Sequence, residues 1–369
     1  GFLDAVDTIL KENHIEAQDV TYVVHGTTVA TNAIIEGKMA ATGFITTEGF
    51  RDMLEIQRQI RPSLYDLQFE KPRPLVPRYL CFGIPERMDF QGKILTKLDT
   101  DSVRAVARQL KKEGVESIAV CYLHAYINNE HEAQTAELLK EEFPEAIVSL
   151  SSDIAPEFRE YLRASTTVIN AAVRPIVSRY LISIESRLKA AGLSAELLVM
   201  QSNGGVLTFG AASDKPVFMV ESGPAAGVIA ASYLGNTLGS PNVLSFDMGG
   251  TTAKTGLVRK GTPTITKDYE VGVAAGGTGT GVQGAGYPIR TPVIDLVEIG
   301  AGGGSIAWVD SGDILRVGPQ SAGADPGPVC YGRGGEEPTI TDANLVLGRL
   351  DPEYFLGGKM KLDGEGARK

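Results

Sequence analysis

The first 150 residues alternate between short apolar runs and amphipathic segments, a pattern that predicts strands followed by helices. Buried strands are predicted at residues 21–26, 40–46, 117–123 and 146–150. Helices are predicted at residues 48–56, from Asp99 or Asp101 to Gly114, and at 129–143. Strands that alternate with helices of this length favour an α/β architecture with a largely parallel sheet.

The next segments predict one long helix and a second group of strands. A helix is expected over residues 156–191, followed by a hairpin over 196–208 that turns at Asn203-Gly204-Gly205. Residues 218–231 predict a strand that breaks at Ser-Gly-Pro and enters a helix rich in alanine and glycine. Such small residues fit either a hinge between lobes or ordinary tight packing.

Both ends of the chain indicate a part of a longer protein. The chain begins inside an amphipathic helical pattern, with no preceding strand and no N-cap residue to start the helix. The apolar face of this helix is expected to comprise Phe2, Leu3, Val6, Ile9 and Leu10. The other end stops in the polar residues 364–369.

Candidate chemistry is concentrated in residues 243–258, with the sequence VLSFDMGGTTAKTGLV. The VLSF run predicts a buried strand that delivers Asp247 to its end, and TGLV predicts the returning strand of a hairpin. Gly249 and Gly250 permit a tight turn and a close approach to a ligand. Backbone N–H groups in such a turn form an anion-binding nest, and the carboxylate can hold a hydrated Mg²⁺. An ordinary glycine hairpin is the alternative, but an acid, two glycines and two threonines together favour phosphate binding.

Two further kinds of segment are compositionally distinct. Glycine is dense in residues 272–290, 298–309 and 321–335. These segments could be linkers, but the strand-like runs and aromatic residues among them favour ordered loops that approach a ligand. The proline-rich residues between 62 and 85 are expected to form an ordered excursion over the surface.

Composition excludes several classes of protein. The chain has 369 residues, is 43% hydrophobic and carries a net charge of −10 without any block of Lys and Arg. This favours a globular protein and argues against non-specific binding to nucleic acid or anionic membranes. The three cysteines are far apart, no apolar run is long enough to span a bilayer, and no signal peptide pattern is present. A cytoplasmic protein is expected.

Taken together, these motifs resemble the hydantoinase/oxoprolinase family over nearly the whole chain. The matching segments are residues 25–38, 46–67, 220–231, 245–254, 287–312 and 317–350. Members of the family include ATP-dependent N-methylhydantoinases, 5-oxoprolinases and the nucleotide-binding subunits of acetone and acetophenone carboxylases. The resemblance implies a two-lobed ATPase core similar to that of actin, the heat-shock chaperones and the sugar kinases. It also implies ATP and Mg²⁺ as cofactors, and a partner subunit of the hydantoinase B type.

The resemblance divides the chain into an N-terminal region at residues 1–150 and an ATPase core region at 160–369, with a second lobe that starts near residue 240. It implies a first phosphate hairpin before Gly1 and an adenosine loop after Lys369. Without these two parts the 369-residue chain is expected to be inactive, to bind ATP weakly or not at all, and to expose apolar surface at an open sheet edge.

The resemblance also implies roles for single residues. The γ-phosphoryl group is transferred to the oxygen of a cyclic amide, and water then attacks the activated carbon, so catalysis depends on positioning and charge neutralisation. Asp247 would orient Mg²⁺ through water, and Glu221 is the candidate base or water-positioning residue, with a structural hinge carboxylate as its alternative. Lys254 fits a phosphate contact and a solvated hairpin lysine equally well. The expected phosphate-binding residues are Gly249, Gly250, Thr251, Thr252 and Lys254.

In the first lobe, a His-Gly-Thr-Thr sequence follows a strand, where α/β proteins tend to bind ligands. Thr27 and Thr28 are therefore expected to line the cleft, together with Thr31 and Asn32. His25 could serve this site or be a hydrogen-bonded loop histidine.

Other polar residues are less specific. His124 and His131 lack the spacing of a metal site and are expected on a solvated surface. Asp295, Glu298 and Asp325 lie among the glycine loops, and contact with substrate or metal stays open for all three.

Three functions are compatible with this sequence. The first is ATP-dependent hydrolysis of a cyclic amide of the hydantoin or 5-oxoproline type. The second is a nucleotide-binding subunit of a ketone carboxylase, and the third is a non-enzymatic, ATP-gated interaction module. The TDANLVLGRL and SAGADPGP segments favour the first two, because they belong to this family and not to the chaperones.

Overall fold

A computed structural model describes residues 2–61, 65, 67–250, 252–272, 284 and 286–369. The chain forms two compact units. The first comprises the described residues within Gly1–Ile229, Ile265–Gly272 and Gln283–Ile294. The second contains, among the described residues, Ala230–Thr264 and Asp295–Lys369.

The helices follow the predicted amphipathic segments in most places. In chain order they are α1 (Phe2–Glu12), α2 (Val29–Ile35), α3 (Met53–Ile56), α4 (Thr100–Lys112), α5 (Glu130–Glu142), α6 (Ser151–Ile154), α7 (Glu160–Ala190), α8 (Phe209–Asp214), α9 (Ser222–Thr237), α10 (Ile340–Val346) and α11 (Gly364–Arg368).

The strands are short. In chain order they are β1 (Tyr22–His25), β2 (Thr42–Thr47), β3 (Cys81–Ile84), β4 (Arg87–Met88), β5 (Ile94–Thr96), β6 (Ser117–Cys121), β7 (Ile147–Leu150), β8 (Glu196–Met200), β9 (Val206–Thr208), β10 (Val243–Met248), β11 (Ala253–Arg259), β12 (Thr262–Pro263), β13 (Ile265–Thr266), β14 (Tyr269–Val271), β15 (Tyr287–Ile289), β16 (Val293–Ile294), β17 (Leu296–Ile299), β18 (Ser305–Val309) and β19 (Leu315–Ser321).

The first unit is built on a parallel sheet with the strand order β3-β2-β6-β7, which confirms the predicted α/β class. Every residue of β2 and β6 is buried, as is usual for parallel strands covered on both faces. The edge strand β3 lies in the proline-rich segment that was predicted to cross the surface. That prediction is wrong for this part of the segment, because Leu80 and Ile84 are buried in the core.

A second sheet of the first unit contains the strand that precedes the predicted residues Thr27 and Thr28. Strand β1 pairs in parallel with β8, and β8 forms the predicted hairpin with β9. Helix α1 packs on the core beside this sheet through Phe2, Leu3, Val6 and Leu10. The prediction for Ile9 is wrong, because its side chain is exposed.

Helix α7 belongs to two hydrophobic cores of the first unit. Ala164, Val168 and Ala171 pack into the core around the parallel sheet. Ile169 and Val173 lie in the core beneath β1 and β8, together with Val177, Leu181, Ile184 and Leu188 further along the helix. The observed helix begins four residues later than the predicted range of 156–191.

Two predicted elements differ from the structure. The helix expected over 48–56 is reduced to α3, a single turn. The strand expected before Ser222 is a 3-10 turn at Pro216–Met219, and the Ser-Gly-Pro sequence forms the first turn of α9. Proline fits this position because the first residues of a helix have no intrahelical acceptor for their N–H groups.

The second unit contains the predicted hairpin of β10 and β11, with β12 and β17 paired to the other side of β11. The prediction of a buried VLSF strand is wrong, since Leu244 is 67% and Phe246 63% exposed. Among the described residues, β10 is paired only with β11 and lies at the edge of this sheet.

Candidate functional site

The turn of the β10–β11 hairpin is short and hydrogen-bonded within itself. The register pairs Met248 with Ala253, which leaves residues 249–252 in the turn. The Gly249 N–H donates to the Thr252 carbonyl at 2.9 Å. Gly249 was expected to offer this N–H to a phosphate, but in this conformation the turn itself uses the group. Thr251 lies outside the described residues.

A second glycine loop holds the hairpin turn in place. The Gly303 N–H donates to the Gly249 carbonyl at 2.9 Å, and the Gly304 N–H donates to the Gly250 carbonyl at 2.7 Å. Because the C=O and N–H of a trans peptide point in opposite directions, the Gly250 N–H faces away from this second loop. No acceptor in the described part of the chain takes that N–H.

Only glycine permits this close approach. A Cβ atom on Gly304 would lie 3.1 Å from the Gly250 carbonyl oxygen and 2.9 Å from the Ser321 hydroxyl oxygen. The loop is also anchored from behind, because both the N–H and the hydroxyl of Thr341 donate to the Gly303 carbonyl, at 2.9 and 2.8 Å. The hairpin turn is therefore fixed by backbone contacts to residues about 50 positions away.

Helix α10 provides this anchor through its N-terminal cap. Asp342 accepts hydrogen bonds from the N–H and hydroxyl of Thr339, at 2.9 and 2.7 Å, and from the Cys330 N–H at 2.8 Å. Burial opposes ionisation of this carboxyl, but the hydrogen bonds outweigh it and lower the pKa of Asp342. An ionised Asp342 thus holds the start of α10, where Thr341 contacts the glycine loop.

The side chains beside the turn differ in their environment. Asp247 is exposed, and its carboxylate has no hydrogen-bond donor among the described residues. The Lys254 ammonium lies 3.7 Å from a Glu298 carboxylate oxygen, and its side chain is only 15% exposed. The alternative of a solvated hairpin lysine is therefore wrong for Lys254.

An Mg²⁺ ion fits this arrangement only as a companion of phosphate. The described residues contain no group of three His, Cys, Asp or Glu side chains that could hold a metal. Mg²⁺ in nucleotide sites keeps several waters and takes one or two carboxylates plus phosphate oxygens. The single accessible carboxylate of Asp247 meets this requirement.

In the first unit, the predicted Thr27 and Thr28 lie between β1 and α2. The Ser222 hydroxyl donates to the Thr27 carbonyl at 2.9 Å and accepts from the Thr27 N–H at 3.4 Å. The Thr28 hydroxyl oxygen accepts from the Asn32 side-chain amide at 3.3 Å. The loop after β1 is therefore fixed to the first residue of α9.

Glu221 lies at this same junction. Its backbone has a φ of 64°, which is rare for a residue with a side chain, and the residue is only 4% exposed. The Glu221 N–H donates to the Thr31 hydroxyl at 3.1 Å. The structure thus places Glu221 beside Thr31 and its neighbour Ser222 beside Thr27, a proximity that the sequence did not predict.

His25 packs into the core of the first unit. Its Nε2 is hydrogen-bonded to the Tyr180 hydroxyl at 2.8 Å, and its ring makes a tilted contact with that of Phe2, with centroids 4.4 Å apart. Burial lowers the pKa of the imidazole. The structure therefore favours the hydrogen-bonded histidine among the two interpretations of His25.

The prediction of a solvated surface is wrong for His131. His131 is buried, and its Nδ1 lies 2.7 Å from a carboxylate oxygen of Glu86. The spacing of His131, Thr135 and Leu139 along one face of α5 was the available signal, because all three are buried. His124 is half-buried beside Tyr126.

The three acidic residues of the glycine loops differ in their burial and in their contacts. One carboxylate oxygen of Asp295 is buried without a partner in the described part of the chain. Glu298 faces Lys254, and Asp325 is exposed. The central part of the glycine-rich segment 272–290 lies outside the described residues.

Sequence reasoning missed the residues that support the site. Gly303, Gly304 and Thr341 fix the hairpin turn, and Ser222 fixes the loop after β1. The run of three glycines at 302–304 was the available signal for Gly303 and Gly304. The sequence predicts a loop that approaches a ligand there, but not its contact with the hairpin turn.

Comparison with known proteins identifies the family of this chain. A family profile described as hydantoinase/oxoprolinase matches residues 163–369, and a profile for the N-terminal region of the same family matches residues 1–143. The chain belongs to the hydantoinase/oxoprolinase family.

Several relatives are similar over almost the entire chain. An uncharacterized protein of Methanocaldococcus jannaschii is 46% identical over 100% of this chain and 54% of its own length. The caprolactamase subunit alpha of Pseudomonas jessenii is 35% identical over 95% of this chain and 49% of its own. The 5-oxoprolinase of Saccharomyces cerevisiae is 34% identical over 94% of this chain and 28% of its own. The chain thus spans about half the length of the first two relatives, and less of the third.

Two solved structures share the fold. The ATP-dependent caprolactamase from Pseudomonas jessenii superposes with a TM-score of 0.79 at 35% identity, over 95% of this chain and 49% of that one. Nucleotide-free acetone carboxylase, whose carboxylation of acetone is ATP-dependent, superposes with a TM-score of 0.75 at 30% identity, over 93% of this chain and 48% of that one. The predicted family and its α/β fold are confirmed. No helix among the described residues is long and apolar enough to span a membrane.

Proposed function

We propose that the protein containing this chain hydrolyses a cyclic amide in an ATP-dependent reaction. The γ-phosphoryl group is transferred to the amide oxygen with release of ADP, and water attacks the activated carbon. The C–N bond of the tetrahedral intermediate then opens as the nitrogen takes up a proton, and a second water hydrolyses the resulting acyl phosphate to carboxylate and phosphate. The substrate is a lactam or hydantoin, and the partner is a subunit of the hydantoinase B type. An ATP-dependent caprolactamase at 35% identity and a 5-oxoprolinase at 34% identity support this choice.

The observation that carries the proposal is the supported hairpin turn. The Gly250 N–H faces away from the glycine loop that holds the turn, and Asp247 presents an accessible carboxylate three residues before it. A bound Mg²⁺ would neutralise phosphate charge at this carboxylate. Gly250 and Thr252 bind phosphate oxygens with their N–H and hydroxyl groups, with Thr251 as a further candidate. Preorganised donors of this kind need no reorganisation as charge develops.

Glu221 positions or deprotonates the attacking water in this proposal. Its backbone strain and its hydrogen bond to Thr31 keep it in one place at the start of α9. Strained backbone of this type persists where the surrounding structure holds it, often at functional sites. Thr27 and Thr28 contribute to binding on the same unit.

A second candidate is the nucleotide-binding subunit of a ketone carboxylase. The similarity to acetone carboxylase, at a TM-score of 0.75, supports it. Both functions use the same phosphoryl-transfer step and differ in the molecule that is phosphorylated.

The deciding experiment measures phosphate release by the full-length protein with its partner subunit. The substrates are hydantoin, 5-oxoproline, caprolactam, and acetone with bicarbonate, each compared with ATP alone. Release stimulated by a cyclic amide, with the ring-opened product in equal amount, supports the hydrolase. Stimulation only by acetone with bicarbonate supports the carboxylase. No stimulation, together with ATP-dependent binding to a protein, would instead support an interaction module.

A further inference from the structure

A small pocket in the first unit contains none of the residues of the proposed phosphate site. Its volume is about 200 Å³. The lining includes aromatic and basic side chains that have no part in the hairpin or in the loop after β1. We call it the arginine pocket, and its defining residues are Arg87, His124, Tyr126, Phe158, Arg159 and Arg163.

Arg163 is the reason to expect a ligand in the arginine pocket. The residue is 1% exposed, and only its Nη2 has a partner, the Tyr122 carbonyl. Its Nε and Nη1 are buried without a hydrogen-bond acceptor, and within the described ranges no carboxylate lies at ion-pair distance. A buried cation without a counter-charge is strongly unfavourable, so an anion in the pocket would remove a large penalty.

The contacts around the Arg163 guanidinium satisfy neither Nε nor Nη1. The Arg163 Cζ lies over the Tyr126 ring, 5.3 Å from the ring centroid. Such a cation–π contact is favourable, but the ring accepts no conventional hydrogen bond from Nε or Nη1. An oxyanion in the plane of the guanidinium is the group that would do so.

The N-terminus of α7 opens into the same pocket. This helix has 31 residues, begins at Glu160 and has no side chain that caps its first turn. The uncapped N–H groups and the positive end of the helix dipole both favour an anion at this position. Arg163 lies on that first turn, so both features point to the same ligand.

The remaining charges of the pocket indicate the kind of anion. Arg87 and Arg159 add two positive charges, and neither is paired with an acid among the described residues. Glu160 adds one negative charge at the rim. This carboxylate disfavours a dianion such as a phosphate ester, and it can accept a hydrogen bond from an amine or hydroxyl group of the ligand.

We propose that the arginine pocket binds a small organic carboxylate. The carboxylate lies against Arg163 and the N-terminus of α7, and the apolar part of the ligand contacts Tyr126 and Phe158. A volume of about 200 Å³ limits the ligand to a few carbon atoms beyond the carboxylate. The pocket lies entirely within the first unit and uses none of the residues of the proposed phosphate site, so the proposal stands without the proposed function.

The first test is calorimetric titration of the full-length protein with acetate, butyrate and benzoate. Acetamide, butyramide and benzamide are uncharged controls of matched shape, and inorganic phosphate tests the alternative anion. We expect at least one carboxylate to bind about tenfold or more tightly than its amide, because a hydrogen bond to a charged group contributes about 1.5–3 kcal/mol. Equal binding of acid and amide, or tighter binding of phosphate, would overturn the proposal.

Substitutions of its arginines test whether the carboxylate binds in the arginine pocket. Arg163→Gln should weaken carboxylate binding by about tenfold or more, since it removes the buried charge. The matched control is Arg179→Gln on the same helix, whose guanidinium is exposed and paired with Glu116, and it should bind as the parent does. If Arg163→Gln does not fold, the double variant Arg87→Gln/Arg159→Gln decides: a loss of about threefold or more supports the pocket, and unchanged affinity refutes it.

Discussion

Asp247 is the single side chain on which nucleotide chemistry depends most directly in the proposed function. It is exposed and, among the described residues, accepts no hydrogen bond, so the fold does not require it. An accessible carboxylate beside a phosphate-binding turn is instead available to an ion that accompanies the nucleotide.

Asp247→Asn in the full-length protein should therefore lower ATP turnover about 10²–10³-fold, as is typical when one charge-stabilising contact is removed. The thermal unfolding midpoint should stay within about a degree of the parent, because surface substitutions change stability little. Phosphate release and circular dichroism measure the two effects. Asp313→Asn, on an exposed turn of the same unit, is the control. Near-normal turnover by folded Asp247→Asn would refute the phosphate site.

His25 should make stability depend on pH. Burial lowers the pKa of its imidazole in the folded state, whereas the unfolded value is about 6.5. The neutral ring is favoured in the fold, so this contribution is fully present above about pH 6.5 and is lost as the pH falls through the folded pKa.

The test compares unfolding midpoints of the parent and His25→Gln between about pH 7.5 and 5. The parent should lose more stability on acidification than the variant. His14→Asn, which changes an exposed histidine, should follow the parent curve. Parallel curves for the parent and His25→Gln would show that His25 does not carry the dependence.

At the scale of secondary-structure elements, local patterns predicted the structure better than distant contacts. The β10–β11 hairpin is encoded within 17 residues, by two apolar runs and the glycines between them, and it was predicted from those alone. The contact of its turn with Gly303 and Gly304 depends on chain paths 50 residues apart, and no local periodicity reports such a contact.

The burial of side chains was likewise predictable from local patterns only where no distant contact decides it. The pattern of α5 contained the signal for a buried His131, but the partner that makes burial acceptable, Glu86, lies 45 residues earlier. Strand β3 was missed because the prolines around it indicated a loop, whereas its pairing with β2 is decided by the sheet. The VLSF run predicted a buried strand from hydrophobicity, and hydrophobicity alone does not tell which elements cover a strand.

The glycine loop offers a prediction at this scale. Gly304→Ala should displace the loop from the hairpin turn, since the new Cβ would lie 3.1 Å from the Gly250 oxygen. A displacement of about 1 Å at a catalytic centre can cost about 100-fold in rate. ATP turnover should fall by that order while the unit stays folded. Gly312→Ala is the matched control, because its Cβ would lie 3.4 Å from Asp310 and make an ordinary contact. Equal activity of the two variants would contradict the role of the loop.

At the scale of the whole molecule, helix α7 should join two cores into one cooperative body. Val173 lies in the core beneath β1 and β8, whereas Ala164 and Val168, one or more turns earlier, lie in the core around β6. A substitution that destabilises one core should therefore also destabilise the other.

Val173→Ala should lower the free energy of unfolding by about 2 kcal/mol, from lost burial plus a cavity. Amide hydrogen exchange of β6 should accelerate to a similar degree, about 30-fold, although β6 belongs to the other core. Ile182→Ala, at an exposed position of the same helix, should leave exchange unchanged. Acceleration confined to β1 and β8 would show that the cores open independently.

The shared helix also decides where the chain can be divided. The profile of the N-terminal region ends at residue 143, and the second profile begins at residue 163. The gap between them suggests that the N-terminal region could be expressed separately. Yet Phe44 and Val120 from one side of the gap share a core with Ala164 and Val168 from the other. A protein ending at residue 150 would keep the parallel sheet but lose the helix that covers one of its faces, and it should aggregate when expressed. The junction between the profiles divides the sequence, whereas the folding unit continues across it.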